Sequence, residues 1–152
     1  MLETMMKLND VHIDVKPVEA NKEFAIKAVS GLCLDSGASF EELCDAFNKR
    51  EEEGSTGCGN GIAIPHAKIA GEVTPKVVVV RFAEPIDWDA IDDAPVSVAV
   101  CLVMPMTDEG NTHLAVVSRF ARKLASRDFI EKLKTIPSEQ ELYTYLIENV
   151  ED

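Results

Sequence analysis

The pattern of hydrophobic positions divides the chain into buried strands with helices before and after them. Two runs are apolar almost throughout: KVVVVRF, from Lys76 to Phe82, and VSVAVCLVM, from Val96 to Met104. Such β-branched runs, bounded by prolines, are typical of strands that are covered on both faces. The segment from Ile86 to Trp88 allows one further short strand.

Helical spacing predicts two helices ahead of these strands. Apolar residues lie three and four apart between Glu19 and Cys33, with Ala25, Ala28, Val29 and Leu32 as the inward positions. Ser39 and Glu42 form a capping-box pair, which begins a second helix that ends near Arg50.

Three more helices are predicted after the second strand. The first begins at Thr112 and places inward Leu114, Val117, Phe120 (or Ala121) and Leu124. A short one covers Ser126 to Leu133, and a second capping box, Ser138 with Glu141, begins the last helix, which carries Leu142, Tyr145 and Leu146. We therefore expect an α/β fold, a central mixed β-sheet flanked by helices on both sides, in one domain over residues 1–152. The pattern does not give the strand order.

Composition and charge restrict the possible partners. Of the 152 residues, 46% are hydrophobic and 28% are charged, and the net charge is −12. Such an acidic chain is repelled by phosphate backbones and anionic membrane surfaces, so we expect no nucleic-acid partner. No apolar run approaches the ~18 residues that span a bilayer, and the N-terminus lacks signal-peptide features. These observations predict a cytoplasmic protein without direct membrane insertion.

The four cysteines indicate neither a zinc site nor a disulfide framework, because none are paired as CxxC. We interpret Cys33, Cys44 and Cys101 as buried small apolar residues. Cys58 lies in a glycine-rich loop and is expected to be more exposed, without a chemical role. The sequence predicts no metal and no cofactor.

The most informative stretch is REEEGSTGCGNGIAIPHAK, residues 50–68. Four of the eight glycines lie within it: Gly54, Gly57, Gly59 and Gly61. Glycines this dense allow backbone N–H groups to turn toward an anion, or they form a tight turn that leads into a strand. The loop fits neither the GxxxxGK[ST] nor the GxGxxG pattern. Glu51, Glu52 and Glu53 are expected to be solvated.

Three residues are candidates for the chemistry of a phosphoryl group. His66 follows a short apolar segment and Pro65; its imidazole can attack phosphorus, or it is structural. His113, near the start of a helix, either faces a cavity or packs in the core. Arg50 either binds phosphate oxygens or favours the end of its helix. His12 is expected to be exposed and without a role.

The run R-E-x-x-G-S-T-G-x-G-N-G-I-A-I-P-H, from Arg50 to His66, resembles the active-site signature of a known family. It is the fructose/mannitol-type enzyme IIA domain of the bacterial phosphoenolpyruvate-dependent phosphotransferase system. The resemblance continues in EPIDWDAIDDAPV, THLAVVSRFARKL and SRDFIEKL, and it spans residues 7–148. The nitrogen-regulatory enzyme IIA proteins share the signature.

The resemblance implies a phosphotransferase that works through a phosphohistidine, in sugar transport. His66 takes the phosphoryl group from phospho-HPr and passes it to a cysteine, or in some branches a histidine, of a IIB component. The residue that matches His113 stabilises the group, and the one that matches Arg50 belongs to the same site. We expect further hydrogen bonds to the phosphoryl group from Ser55, Thr56, Gly57 and Gly59.

Two alternative functions remain open, and the sequence departs from the family pattern in two places. The regulatory branch would use the same chemistry for phosphorylation-dependent binding to other proteins. A metal hydrolase that uses His66 and His113 is disfavoured, because no HExxH pattern is present. Cys58 stands where the family more often has an aliphatic residue. The acidic loop TDEGN ahead of His113 is expected to stay outside the site.

Overall fold

The structure is a computed structural model. In the part of the chain that it describes, a mixed six-stranded sheet forms the middle layer. That part is residues 2–107 and 112–150, without the side chains of residues 112 and 113. The strands are β1 (Val11–Val15), β2 (Gly57–Gly59), β3 (Ile62–Ala63), β4 (His66–Ile69), β5 (Lys76–Ile86) and β6 (Val96–Pro105). The helices are α1 (Leu2–Met5), α2 (Lys22–Gly31), α3 (Phe40–Glu52), α4 (Thr112–Lys123), α5 (Arg127–Thr135) and α6 (Glu139–Asn149).

The strand order is β1-β5-β6-β3-β2, and β4 pairs with β6 beyond the end of β3. The central pair, β5 and β6, is antiparallel, and β2 is antiparallel to β3. The other pairs, β1 with β5 and both β3 and β4 with β6, are parallel. The expected mixed sheet is therefore confirmed.

Successive residues of β5 and β6 alternate between two buried clusters, one on each face of the sheet. The cluster toward α2 and α3 contains Ile26, Val29, Leu43, Phe47, Val78, Val80 and Cys101. The cluster toward α1, α4, α5 and α6 contains Met5, Phe120, Phe129, Leu133, Leu142, Val77, Val79 and Leu102. Because both faces of the central strands are apolar, both need a helical layer, and the flanking helices are confirmed.

Side-chain caps fix where the helices begin. The Ser39 hydroxyl accepts the Glu42 amide at 3.1 Å, and the Glu42 carboxylate accepts the Ser39 amide at 2.9 Å, so the predicted capping box is present. Asn21, Ser126 and Ser138 cap α2, α5 and α6 in a similar way, each accepting an amide hydrogen bond.

Several details differ from the expectations. The segment from Ile86 to Trp88 forms no separate strand, because β5 continues through Pro85 to Ile86 with a shift of register. Cys44 is half-buried rather than buried, while Cys33 and Cys101 are buried and Cys58 is exposed, as predicted. His12 is half-buried, not exposed, since Nε2 is shielded from solvent.

The inward face of α4 is also partly different. Leu114 is 56% exposed, because it borders a surface cavity beside β4 rather than the core, and Val116 is buried instead. Of the alternatives at the third inward position, Phe120 is buried and Ala121 is exposed. Within the described ranges, no helix combines the length and apolar character needed to cross a membrane.

Replacing the α3 cap tests its contribution to the fold. Ser39→Ala removes the hydroxyl that accepts the Glu42 amide, so we expect the free energy of unfolding to fall by about 1 kcal/mol. Urea denaturation followed by circular dichroism measures this change. The matched control is Asn48→Ala on the exposed face of the same helix, which we expect to leave stability unchanged or slightly raised. Equal effects of the two substitutions would contradict the assigned role of the cap.

Candidate functional site

His66 is the first residue of β4, at the edge of the sheet, and its face is set by strand alternation. Ile62, Ile64 and His66 point to one side of the sheet, the side on which α4 packs. Pro65 interrupts the strand between β3 and β4, and its carbonyl accepts the Leu102 amide at 2.9 Å. Among the described strands, β4 has only β6 as a neighbour. His66 is therefore held at a fixed register on an edge that remains half-exposed.

The glycine-rich segment folds as a β-hairpin beside this strand. β2 and β3 are joined by a two-residue turn in which Asn60 and Gly61 have φ of 58° and 83°, as in a type I′ turn. Asn-Gly is the usual sequence for this turn, and it is the signal that distinguishes the hairpin from an anion-binding nest. The hairpin supports the expectation of a tight turn that leads into a strand.

Asp92 fastens the tip of the hairpin to the loop ahead of β6. Its Oδ2 accepts the Asn60 amide at 3.0 Å, and its Oδ1 accepts the Ala94 amide at 3.0 Å. These backbone hydrogen bonds, with a smaller contribution from Lys134, hold the pKa of the Asp92 carboxyl below its usual value.

A cavity of about 470 Å³ lies between the hairpin, β4 and α4, and we call it the hairpin cavity. Of the predicted site residues, it is lined by Arg50, Ser55, Thr56, Gly59 and His66. Val117 and Leu124 of α4 contribute to an apolar opposite wall. The fold thus collects around one space five residues that the sequence separates by up to sixteen positions.

Two predicted site residues stand apart from this group. Gly57 is buried against the loop after β5, where a Cβ atom would lie 2.7 Å from the Cβ of Ala90. His113 belongs to the first turn of α4, but its side chain lies outside the described residues. The next residue, Leu114, lines a cavity together with His66. Most of the TDEGN loop, residues 108–111, is also outside the described part of the chain.

A second cavity, of about 340 Å³, adjoins the same histidine, and we call it the lysine cavity. Its charged lining consists of Lys49, Arg50, Lys68 and Glu53. Lys68 follows His66 by two residues on β4 and therefore lies on the same face of the strand. His66 and Arg50 line both cavities. In a chain of net charge −12, His66 thus lies where basic side chains outnumber acidic ones.

Arg50 stabilises the end of its helix, and its side chain also reaches the space beside His66. Its Nη1 donates to the carbonyl oxygen of Gly54 at 2.8 Å, which stabilises the turn after α3. The same side chain is half-buried and lines the two cavities beside His66. The guanidinium has five N–H donors, so one bond to the turn leaves others for an anion.

The expectation of solvated glutamates is wrong for Glu51. Its side chain is 5% exposed, and its carboxylate accepts hydrogen bonds from Thr56 and Trp88 and pairs with Lys22. Helical spacing contained a signal for this burial, since Glu51 lies four residues after Phe47 and eight after Leu43, both of them buried. Trp88 was likewise not identified from the sequence as a neighbour of the site.

Cys58 lines the hairpin cavity, but its environment does not favour the reactive thiolate form. Loss of hydration raises the pKa of its thiol, and Asp92 raises it further. The thiol, whose Sγ lies 3.4 Å from the Ile62 carbonyl, is therefore protonated at neutral pH. Across the described residues, no group of three or more His, Cys, Asp or Glu side chains is arranged to hold a metal ion.

Comparison with known proteins agrees with the resemblance in the sequence. Residues 6–149 match the model of the family "Phosphoenolpyruvate-dependent sugar phosphotransferase system, EIIA 2". A nitrogen regulatory protein of Klebsiella oxytoca is 38% identical over 130 residues, 84% of this chain and 80% of that protein. The fructose-specific EIIA component of Haloferax volcanii is 36% identical over 152 residues, 99% of this chain and 97% of that protein.

Solved structures give the same result. The nitrogen regulatory protein IIA-Ntr of Neisseria meningitidis superposes with a TM-score of 0.85 at 31% identity, over 95% of this chain and 97% of that one. The mannitol enzyme IIA of Escherichia coli, solved in complex with its phosphorylated enzyme IIB, has a TM-score of 0.77 at 20% identity, over 94% of this chain and 97% of that one. The second likeness shows a shared fold.

Adding a methyl group at Gly57 tests the close approach of the hairpin to the loop after β5. The new Cβ would lie 2.8 Å from the Ala90 Cα and 3.3 Å from Trp88 Cδ1, so Gly57→Ala is expected to cost about 1–3 kcal/mol of stability. Thermal unfolding measures the loss. Gly31→Ala is the control, because nothing lies within 4 Å of its Cβ position, and it should not destabilise. A stable Gly57→Ala variant would show that the two segments separate easily.

The lowered pKa of Asp92 predicts a pH dependence. The ionised carboxylate is favoured in the folded state, so its stabilising contribution is complete above the unfolded pKa, near 3.8, and disappears as the pH falls through the lower folded value. The difference in unfolding free energy between the wild type and Asp92→Asn should therefore shrink as the pH falls below about 4. Urea denaturation between pH 3 and pH 7 tests this. A constant difference would contradict it.

Proposed function

Because the chain belongs to the EIIA 2 family of the phosphoenolpyruvate-dependent sugar phosphotransferase system, we propose that it is a phosphocarrier. His66 accepts a phosphoryl group from phospho-HPr and passes it to a IIB component during sugar uptake. The observation that carries this proposal is the position of His66 at the sheet edge, where it lines a cavity with Arg50, Ser55 and Gly59. Basic side chains and loop donors around one imidazole suit a group that carries negative charge.

The first step exchanges one imidazole for another at phosphorus. Nδ1 of His66 is buried from solvent, so we assign the attack to Nε2. The bond from phosphorus to the donor's histidine nitrogen breaks as the bond to Nε2 forms. One imidazole replaces the other, so the step needs no net gain or loss of a proton. Catalysis then depends on positioning and on stabilising the charge of the equatorial oxygens.

Arg50 and the hairpin loop supply donors for those oxygens. The Arg50 guanidinium has N–H groups beyond the one that binds Gly54. Ser55 Oγ accepts the Gly57 amide at 3.1 Å, which leaves its O–H to donate. Gly57 itself donates to Ser55, and Thr56 directs its N–H and O–H to Glu51. We therefore assign the loop contacts first to Ser55 and Gly59, and the wider set stays a prediction.

His113 completes the proposed site from the side of α4. Its place in the first turn of that helix lets the helix N-terminus add partial positive charge near the phosphoryl group. We propose that its imidazole stabilises the bound group without accepting it. Leu114 and Val117, which follow it on α4, both line cavities that His66 shares.

The second step passes the group to a IIB partner. The bond from phosphorus to Nε2 of His66 breaks as a bond to the partner's cysteine sulfur forms. A mannitol enzyme IIA with the same fold has been solved in complex with its phosphorylated IIB protein, which supports a partner of this kind.

A regulatory output is the second candidate, and two similarities favour it. The Klebsiella relative and the Neisseria structure are both nitrogen regulatory proteins, at 38% and 31% identity. Under this proposal His66 accepts the phosphoryl group in the same way, and phosphorylation then controls binding to other proteins. Transfer to a sugar-specific IIB protein supports the first function; failure with every IIB protein supports the second.

Mass spectrometry of the phosphorylated chain tests the chemistry that both candidates share. The protein is incubated with phosphoenolpyruvate, enzyme I and HPr, and the acid-labile phosphate is located. We expect one phosphoryl group on His66 and none in His66→Ala. His113→Ala should still accept the group but transfer it at least about tenfold more slowly, since a stabilising donor is lost.

Cys58→Ser is the matched control within the same cavity. Its thiol is protonated and has no role in the proposed steps, so phosphorylation and transfer should proceed at the wild-type rate. Label on His12, His113 or Cys58 in place of His66 would contradict the assignment.

A further inference from the structure

Glu51 is a buried carboxylate in contact with three separate segments of the chain. Its Oε1 lies 3.1 Å from Lys22 Nζ at the start of α2 and accepts the Trp88 indole N–H at 3.2 Å. The same oxygen accepts the Thr56 amide at 3.1 Å, and Oε2 accepts the Thr56 hydroxyl. With 5% of its side chain exposed, Glu51 joins α2, the loop after β5 and the loop that enters the hairpin.

These contacts account for the burial of a charge. A carboxylate away from water is tolerated when its oxygens are hydrogen-bonded and its charge is paired. Glu51 has three hydrogen-bond donors from Thr56 and Trp88 besides the ammonium group of Lys22. Every one of these partners donates, so an ionised carboxylate, which only accepts, fits the arrangement.

The contacts of Glu51 lead to the proposed phosphoryl site in two ways, through Arg50 and through Thr56. Arg50, the preceding residue on α3, lines the hairpin cavity with His66, and so does Thr56. Glu51 itself is absent from the lining of that cavity. Its two bonds to Thr56 fix the path of the loop from Gly54 to Gly57, which carries Ser55 and the carbonyl that Arg50 binds. The carboxylate thus holds the loop that carries Ser55 against the end of α3 that carries Arg50, and it does not line the hairpin cavity itself.

We propose that Glu51 is a positioning residue for phosphoryl transfer, holding Arg50 and Ser55 at the distance from His66 that the transfer requires. This inference rests on the proposed phosphocarrier function. Phosphoryl transfer depends on placement more than on covalent chemistry, and a displacement of about 1 Å can cost roughly a hundredfold in rate. Loss of Glu51 therefore affects the rate of transfer rather than the docking of the donor.

Glu51→Gln and Lys22→Met separate positioning from stability. Glu51→Gln keeps the shape of the side chain but removes the charge that strengthens the bonds from Thr56 and Trp88, and it turns the Thr56 hydroxyl from donor to acceptor, so the loop at Thr56 is held less tightly. Lys22→Met removes the ion pair and leaves the bonds to Thr56 and Trp88 in place. Single-turnover transfer from phospho-HPr is measured against donor concentration, well below the melting temperature of each variant.

We expect Glu51→Gln to lower the saturating transfer rate at least about tenfold, with an unchanged half-saturating donor concentration. Lys22→Met should lower the melting temperature and transfer at the wild-type rate. Equal rates for Glu51→Gln and the wild type, or an equal loss in both variants, would overturn the proposal.

If Glu51→Gln does not fold, Trp88→Phe replaces it: removal of the indole donor should slow transfer at unchanged half-saturation, and a wild-type rate would overturn the proposal.

Proton NMR gives a measurement that does not depend on phosphoryl transfer. It allows the role of Glu51 to be tested separately from the phosphocarrier function. Trp88 is the single tryptophan of the chain, so its indole N–H gives one identifiable proton resonance. That resonance and the Thr56 amide should shift in Glu51→Gln and remain close to wild type in Lys22→Met. If the wild type accepts no phosphoryl group, the phosphocarrier function fails whatever these shifts show. If it accepts the group on His66 and Glu51→Gln matches its rate, only the role of Glu51 fails.

Discussion

The antiparallel pair of β5 and β6 is apolar on both faces, and this constraint decides the rest of the arrangement. Val77 and Val79 point to one helical layer, and Val78 and Val80 point to the other. Neither face can be left to water, so helices must pack on both. The consequence for function is that polar chemistry is excluded from the centre of the sheet and moved to its edge, where β4 and the hairpin lie.

The edge that carries His66 is also where the ends of two helices from opposite layers meet. α3 finishes there with Arg50 and Glu51, and α4 begins there with His113 and Leu114. Helix ends supply partial charges and polar side chains, while helix middles supply apolar packing. The N-terminus of α4 favours an anion at this edge, whereas the C-terminus of α3 disfavours one, so on the α3 side the Arg50 guanidinium is the group that suits the proposed phosphoryl group. This explains how a mostly hydrophobic sandwich presents a polar site.

Much of this fold could be predicted from the sequence, because the signals are local. The valine runs gave β5 and β6, and the pair of Ser39 with Glu42 gave the start of α3 to the residue. The candidate residues Arg50, Ser55 and His66 were chosen from one distinctive stretch of sequence, and all three line the hairpin cavity. Strand order was not predictable, because the pairing of β3 and β4 with β6 joins segments more than thirty residues apart.

The errors have a common physical origin in tertiary context. Leu114 has the spacing of a core residue, yet it borders a surface cavity beside His66 and Lys68 and is exposed. Glu51 belongs to a run of three charges that usually means solvent, yet the stripe of Leu43 and Phe47 carries it inward to Trp88 and Lys22. In both cases the deciding neighbours come from distant parts of the chain.

The contact between Gly57 and Ala90 has an evolutionary consequence. A Cβ at position 57 would overlap the side chain at position 90, so neither residue can grow in volume unless the other segment retreats. Among descendants of a common ancestor, substitutions at these two sites are therefore expected to be coupled. A larger residue at one site requires a compensating change at the other.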